Sequence, residues 1–393
     1  MKIAFITHYT ELYGANRSLL GLIGGLKQYG VEAHVLVPKE GDITAELKKI
    51  NIPYAVFSYE SWMTEKKIFP GRLHYRLMQR YEIYKEAKAR MKRNRSLLPQ
   101  IIAQLNSWKI DLVYSNSSVI SIGYLAAKQT NKKHVWHFRE MGMLDYKLSP
   151  DVNPRTYRRI TNTADAIIAV SRYLADTILM HVDPAKKHVI YNGIISKNGL
   201  EELSRMIPEP KKDNAFTFAL LGVIQEGKGQ DTAIRAMALV VQRHRNAQLL
   251  IAGNGKTEKL EALIDQLELS DHVHFIGYVE NPYTLMNSSD VVLMCSKHEA
   301  MGRVTVEAMA AGKPVIGYNG GGTTELIAQE KNGLLYSGGE KELAESMVRL
   351  IENPLWAREL GANGRQTVAE KFTVEAYAKN VYDVLQKVLG SRV

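Results

Sequence analysis

Short apolar runs recur along the chain and alternate with longer stretches in which apolar positions repeat every three or four residues. The short runs fall at 2–7, 31–37, 52–57, 111–115, 134–138, 166–170 and 188–191, then at 216–221, 247–252, 272–276, 290–294 and 314–318. They read as strands, several of them too uniformly apolar to leave one face for water. Helical spacing occupies 16–29 and 99–107 in the first half, and 229–245, 256–268, 302–311, 323–329, 339–352 and 355–370 in the second. Strand and helix alternating in this way predict an α/β protein with parallel sheets covered by helices on both faces.

The alternation breaks near 195–214. Ile194-Ile-Ser-Lys-Asn-Gly199 closes the first half, and Pro208-Glu-Pro-Lys-Lys-Asp-Asn214 has the composition of a linker. The expected division is a doubly wound, Rossmann-like domain over 1–195, a linker over 196–214, a second such domain over 215–372 and a helical tail over 373–393. A length of 393 residues suits two domains better than one core, and a cleft between two domains is a common ligand site. The tail carries apolar residues at Val374, Tyr377, Val381, Val384, Leu385 and Val388, which could seat it on either domain.

Composition narrows the class. Hydrophobic residues at 45% and charged residues at 23% are ordinary for a soluble globular protein, so neither disorder nor a membrane-embedded chain is indicated. The single cysteine, Cys295, lies in an apolar strand; it excludes a disulfide framework and fits a reducing compartment. Met1-Lys-Ile-Ala-Phe-Ile-Thr7 reads as a strand and not as a signal peptide, and no apolar run approaches the roughly 18 residues that span a bilayer. The net charge of +10 is concentrated: residues 66–95 hold eleven Lys and Arg against Glu82 and Glu86, a net +9, which leaves about +1 for the rest. Such a segment marks a local partner surface.

The candidate chemistry centres on the run from His298 to Gly312. Glu299 and Glu307 stand on either side of Gly302 and of a predicted helix start, with Gly312 and Pro314 marking the helix end. First-turn N–H groups lack intrahelical partners and the macrodipole is positive there, so such a start attracts phosphate. Flanking carboxylates repel phosphate and are suited to accept hydrogen bonds from sugar hydroxyls. A nucleotide sugar has that layout, with a sugar and a ribose on either side of a diphosphate. The strand at 290–294 puts the run in a β-to-α loop at the carboxyl edge of a sheet, where open α/β sheets bind ligands.

The whole pattern resembles the retaining glycosyltransferases of the GT-B fold, family 4. The resemblance rests on Glu299-x7-Glu307 with Gly302 between, Gly320-Gly-Gly-Thr-Thr-Glu325, Leu221-Gly222, Lys228-Gly229-Gln230-Asp231, Ile251-Ala-Gly-Asn-Gly255 and Val273-His-Phe-Ile-Gly277. In the first half it rests on Tyr13-Gly14-Ala-Asn-Arg-Ser18, Trp136-His-Phe-Arg-Glu140, Val170-Ser171 and Val189-Ile-Tyr-Asn-Gly193. It implies that Glu299 binds hydroxyls of the donor sugar and stabilises charge at the anomeric carbon, while N–H groups around Gly302, Arg303 and Val304 hold the diphosphate. Glu307 would bind the ribose, and Lys228 would neutralise the leaving group. Asn254, Gly255 and Val279, with Tyr278, would line the nucleotide pocket; Gly14 would allow close approach of backbone to donor. His137 would contact the donor sugar, against the plainer reading of a buried core histidine. Arg139 would bind an acceptor phosphate through its planar fork or form a structural ion pair. One departure stands out: Val223 occupies a position where the family often has arginine, and Arg303 either substitutes or points to solvent.

The implied activity is retaining transfer from a nucleotide-diphosphate sugar, uridine-linked, to a hydroxyl of a lipid-linked or glycan acceptor in cell-surface polysaccharide or lipopolysaccharide synthesis. No cofactor and no metal are expected, because no two aspartates stand two apart and no His-x3-His or Cys-x2-Cys occurs. Residues 71–95 can form one basic helix with a stripe of Leu73, Leu77, Tyr81, Tyr84 and Met91 among Arg72, Arg76, Arg80, Lys85, Lys88 and Lys92. It suits an anionic membrane surface, or else packs its stripe on the first domain. No recognised nucleic-acid module surrounds it. The expected location is cytoplasmic, peripheral on the inner face of the cell membrane. The competing readings are a transferase with a small-molecule acceptor, a GT-B sugar epimerase, a Rossmann dehydrogenase (lacking Gly-x-Gly-x-x-Gly after the first strand) and a non-catalytic nucleotide-sugar sensor.

Overall fold

The apolar runs become the strands of two parallel sheets. The structure is a computed structural model that describes residues 1–65, 73–145, 147–206 and 215–390, with backbone alone for 73–76, 143 and 145. It divides into two units, Met1–Tyr191 with Tyr377–Val393, and Asn192–Ala376.

In the first unit the seven-stranded sheet runs, edge to edge, Tyr54–Val56, Glu32–Val37, Lys2–Ile6, Leu112–Ser115, Lys133–Phe138, Ala166–Ala169 and Lys187–Val189. Ile3 pairs with Ala33 on one side and Leu112 on the other. Ile3, Ala4, Phe5 and Ile6 are all fully buried, because helices cover both faces. On one face, Leu19, Leu22 and Leu26 of the helix Gly14–Leu26 pack with Tyr377, Val381 and Leu385 of the helix Val374–Gly390 against Phe5, Val35 and Val135. On the other, Leu98, Ile101 and Leu105 pack with Ile122 and Ala126 against Ala4, Ile6 and Val113. The helical tail therefore completes the core of the first unit, which is discontinuous in sequence.

The helices expected at 71–95 and 99–107 form one 35-residue helix, Leu73–Ser107. Pro99 sits inside it with its ring exposed. Residues 66–72 of the basic segment, Arg72 among them, lie outside the described residues, as does the side chain of Arg76. An antiparallel pair, Met63–Glu65 with Leu148–Pro150, adds a small second sheet that was not expected.

In the second unit the six-stranded sheet runs Val273–Gly277, Ala247–Ala252, Phe216–Leu221, Val291–Met294, Val315–Tyr318 and Leu334–Tyr336. Its core includes Phe218, Leu249, Val291, Leu293 and Ile316 with Ile234 and Met237 of the helix Gln230–Val240. The stretch expected as linker opens with a helix, Lys197–Arg205, whose N-cap Ser196 accepts from Gly199 N–H at 3.0 Å. Residues 207–214, which carry the linker composition, lie outside the described residues. Among the described residues no helix is long and apolar enough to cross a membrane.

His134, on the strand Lys133–Phe138, lies 4% exposed with Nε2 2.9 Å from Ser115 Oγ. Burial lowers its pKa to about 4, although Asp165 acts to raise it. The folded chain thus binds this proton less readily than the unfolded chain, and stability falls as pH drops from about 6.5 through about 4. The full loss from this group is about 3 kcal/mol, at roughly 1.4 kcal/mol per pH unit. Thermal unfolding followed from neutral pH to below 4 should show a melting temperature that drops less steeply in His134→Gln than in the parent chain.

Candidate active site

Four loops meet at the carboxyl edge of the second sheet because four adjacent strands end there. Strand Val291–Met294 is fully buried or nearly so and delivers residues 295–302 to that edge. The helix Arg303–Ala310 follows, with Gly302 as N-cap in the left-handed region and no side chain capping it. Its first-turn N–H groups are thus unserved by any cap, as a phosphate site requires. Gly312, also left-handed, ends the helix by donating its N–H to Met309 O at 2.9 Å.

Two neighbouring loops fix the position of Glu299. Gly322 N–H donates to Glu299 O at 2.7 Å. A Cβ on Gly321 would lie 2.8 Å from Glu299 O and 2.9 Å from Glu299 N, and one on Gly229 would lie 2.4 Å from Cys295 O. Only glycine lets these chains approach so closely. The turn before Gly229 brings Lys228 Nζ to 3.0 Å from Glu299 Oε2 and 3.4 Å from Ser296 Oγ. Both members of the pair are about one-fifth exposed, open to a ligand yet only partly screened by water.

The second carboxylate is buried. Glu307 is 4% exposed and accepts from Arg303 Nε at 2.7 Å, one helical turn away. Arg303 therefore turns back along its own helix and not out to solvent. Val223 is 53% exposed, and its carbonyl accepts from Gln230 Nε2 at 3.0 Å. Asn254 and Gly255 are exposed at the end of strand Ala247–Ala252, tied to the neighbouring loop by Ile224 N–H donating to Asn254 O at 2.8 Å. Val279 is half-buried and Val304 likewise, while Tyr278 is exposed at the end of strand Val273–Gly277. The structure thus brings Lys228 against Glu299 and Arg303 against Glu307, and sets Asn254, Gly255 and Val279 on the same sheet edge.

The other candidates belong to the first unit. Gly14 is exposed and is the first residue of its helix, which no side chain caps. The loop before it is held by Asn16, which accepts from Thr7 Oγ1 at 2.5 Å and donates to Tyr9 O and Glu11 O, both at 2.9 Å. His137, at the carboxyl end of strand Lys133–Phe138, is fully buried, with Nδ1 2.6 Å from Tyr114 OH. Burial, reinforced by Arg139, holds its pKa well below the usual range, so it is neutral, and its Nε2 makes no hydrogen bond. Arg139 is 8% exposed, with Nε donating to Asn116 Oδ1 at 2.8 Å and Nη2 to Tyr377 OH at 2.6 Å. Its planar donors tie the C-terminal helix to the sheet. Arg80 is exposed on the long helix, remote in sequence from all of these.

Sequence reasoning gave no role to two threonines. Thr305, in the first turn after Gly302, and Thr323, just after the glycine run, are both fully buried with hydroxyls that make no hydrogen bond. A hydroxyl in the first turn of an otherwise apolar helix start was the available signal. Glu140 was seen only as a neighbour; its Oε1 accepts from Ser117 Oγ, from Ser118 N–H at 3.0 Å and from Ser118 Oγ at 2.9 Å. Among the described residues no group of three or more His, Cys, Asp or Glu is placed to hold a metal ion.

Comparison with known proteins matches residues 13–197 to Glycosyltransferase Family 4 and residues 203–367 to Glycosyl transferases group 1. The chain belongs to the group 1 glycosyltransferases. HepE of Anabaena, solved in complex with UDP and glucose, aligns with a TM-score of 0.75 at 23% identity over 98% of this chain and 99% of that one, which establishes the GT-B fold. An uncharacterised glycosyltransferase of Methanocaldococcus jannaschii is 32% identical over 57% of this chain and 61% of its own length. The lipopolysaccharide core biosynthesis glycosyltransferase LpsD of Rhizobium meliloti is 30% identical over 46% and 52%. The chain spans between about half and three-fifths of these curated relatives.

The contact at Gly321 yields a prediction for this group 1 glycosyltransferase. Gly321→Ala should destabilise by about 1–3 kcal/mol, through a left-handed backbone and a collision with Glu299 backbone. Calorimetric melting measures the effect.

Proposed function

We propose that this protein transfers a sugar, with retention at the anomeric carbon, from a uridine diphosphate sugar to a hydroxyl of a lipid-linked or glycan acceptor. The reaction serves cell-surface polysaccharide or lipopolysaccharide synthesis, at the cytoplasmic face of the membrane. One observation carries the reading: the Lys228–Glu299 pair beside an uncapped helix start, with Glu307 a little over one turn into that helix. The UDP and glucose bound to HepE support the donor class, and the lipopolysaccharide role in the name of LpsD supports the acceptor class.

The chemistry follows from the residues. The diphosphate departs with its bonding electrons, so the catalyst must stabilise negative charge on the leaving oxygen and positive charge at the anomeric carbon. N–H groups at residues 303–305 and the Lys228 ammonium serve the first need in a preorganised way. Glu299 serves the second, accepting hydrogen bonds from sugar hydroxyls that acidify as the ring becomes cationic. In the ligand-free chain Lys228 and Glu299 neutralise one another, and the donor would divide them, phosphate to the cation and sugar to the carboxylate. Glu307 has one oxygen engaged by Arg303 and would offer the other to the ribose. The missing arginine at Val223 leaves Lys228 as the principal side-chain cation for the diphosphate, since Arg303 is held by Glu307.

Glu299→Ala should lower kcat by about 100- to 1000-fold while UDP affinity changes little. Glu307→Ala should instead weaken UDP binding. Equal loss of UDP binding in both would overturn this division of roles. Because Lys228 and the helix start carry the diphosphate charge in this reading, transfer should persist in the presence of a chelator. Transfer assays with a panel of nucleotide sugars, with isothermal titration of UDP, measure all three outcomes.

A further inference from the structure

The N-terminal half of the helix Leu73–Ser107 has no counterpart in the donor chemistry. Leu77, Met78, Tyr81 and Tyr84 are 54–67% exposed, in a protein whose other large apolar residues are mostly buried. They do not pack on the first unit, which removes the plainer of the two readings of this segment.

At about 100° per residue the helix has three distinct sides. Ala87, Arg90, Asn94, Leu98, Ile101 and Leu105 form one, and this side packs. Roughly a third of a turn round lie Leu77, Tyr81, Tyr84 and Lys88, rimmed by Arg80 on one flank and Lys85 and Lys92 on the other. The remaining side holds the two acids, Glu82 and Glu86. Apolar anchors within a basic rim, with the acids turned away, are what an anionic lipid surface selects. A protein partner could use the apolar stripe, but it would not need the exposed Arg80, Lys85, Lys88 and Lys92 around it.

The exposed half is firmly held at its base. Arg90 grips Asp151 through Nε at 3.0 Å and Nη2 at 2.6 Å, and Asp151 is almost fully buried. Asn94 exchanges two hydrogen bonds of 2.8 Å with the backbone of Glu60. Two residues on, Trp62 Nε1 donates to Ser118 O at 2.9 Å, and Ser118 in turn holds Glu140. A short segment, 60–65, thus bonds the helix to the loops at the carboxyl edge of the first sheet.

We propose that residues 77–92 are a docking surface for anionic phospholipid, lying along the membrane with Tyr81 and Tyr84 in the headgroup layer and Arg80, Lys85 and Lys88 on lipid phosphates. The inference rests on the reading above only in placing the acceptor at a membrane.

Sedimentation with phosphatidylglycerol–phosphatidylcholine vesicles tests it. The parent chain should bind these, should not bind pure phosphatidylcholine, and should be released by high salt. Replacing Arg80, Lys85 and Lys88 by Ser should weaken binding roughly a hundredfold, at one order or less per charge. Tyr81→Ser with Tyr84→Ser should weaken it roughly tenfold without removing the salt dependence. Circular dichroism checks that each variant is folded, and Glu82→Gln with Glu86→Gln provides a variant on the side facing away, expected to bind undiminished. Equal binding to neutral vesicles, no binding at all, or unchanged binding in both variants would overturn the proposal. So would a stripe that proves to mediate self-association, or a basic rim that binds an RNA homopolymer in preference to vesicles. UDP titration of the parent chain reports the donor reading separately: UDP binding without lipid binding sinks this inference alone, and the converse sinks only the donor reading.

Discussion

The site depends on how Glu299 is held. Its carbonyl accepts from the glycine run that follows the next strand, and its carboxylate meets a lysine from the loop after the strand Phe216–Leu221. Neither loop could come so close if residues 229 and 321 carried a side chain. Three strand ends are thereby bound into one edge, and the uncapped helix start at Gly302 inherits its position from them. On the proposed reading, an anion site assembled in advance in this way costs little to complete, and that is the source of its catalytic value.

Electrostatically the site is arranged in pairs. Each carboxylate expected to meet a sugar hydroxyl is matched by a cation, Lys228 for Glu299 and Arg303 for Glu307. Partly buried charges without partners would be costly, so the pairing stabilises the site. The Arg303 guanidinium reaches Glu307, four residues along its own helix.

The long buried strands were legible because both-face burial demands continuous apolar runs. The three-residue strands Met63–Glu65, Leu148–Pro150 and Leu334–Tyr336 were not, because so short a stretch carries no periodicity. The stretches 71–95 and 99–107 read as separate helices, but Pro99 is exposed and tertiary contacts from Leu98, Ile101 and Leu105 carry one helix through. In the site, legibility followed sequence distance. Glu299, Gly302 and Glu307 lie within one loop and helix, so spacing alone conveys their geometry. The surroundings of His137 and Arg139 were not legible, because they include Tyr377, 238 residues beyond Arg139, and no local pattern announces such a neighbour.

That same distant contact governs how the chain can assemble. The first unit borrows Tyr377, Val381 and Leu385 from the far end of the polypeptide to cover one face of its sheet. The second unit is a single uninterrupted stretch, Asn192–Ala376. On the ribosome, synthesis therefore presents the later half with a complete set of core residues first. The earlier half must wait, with apolar surface uncovered, until the last helix emerges.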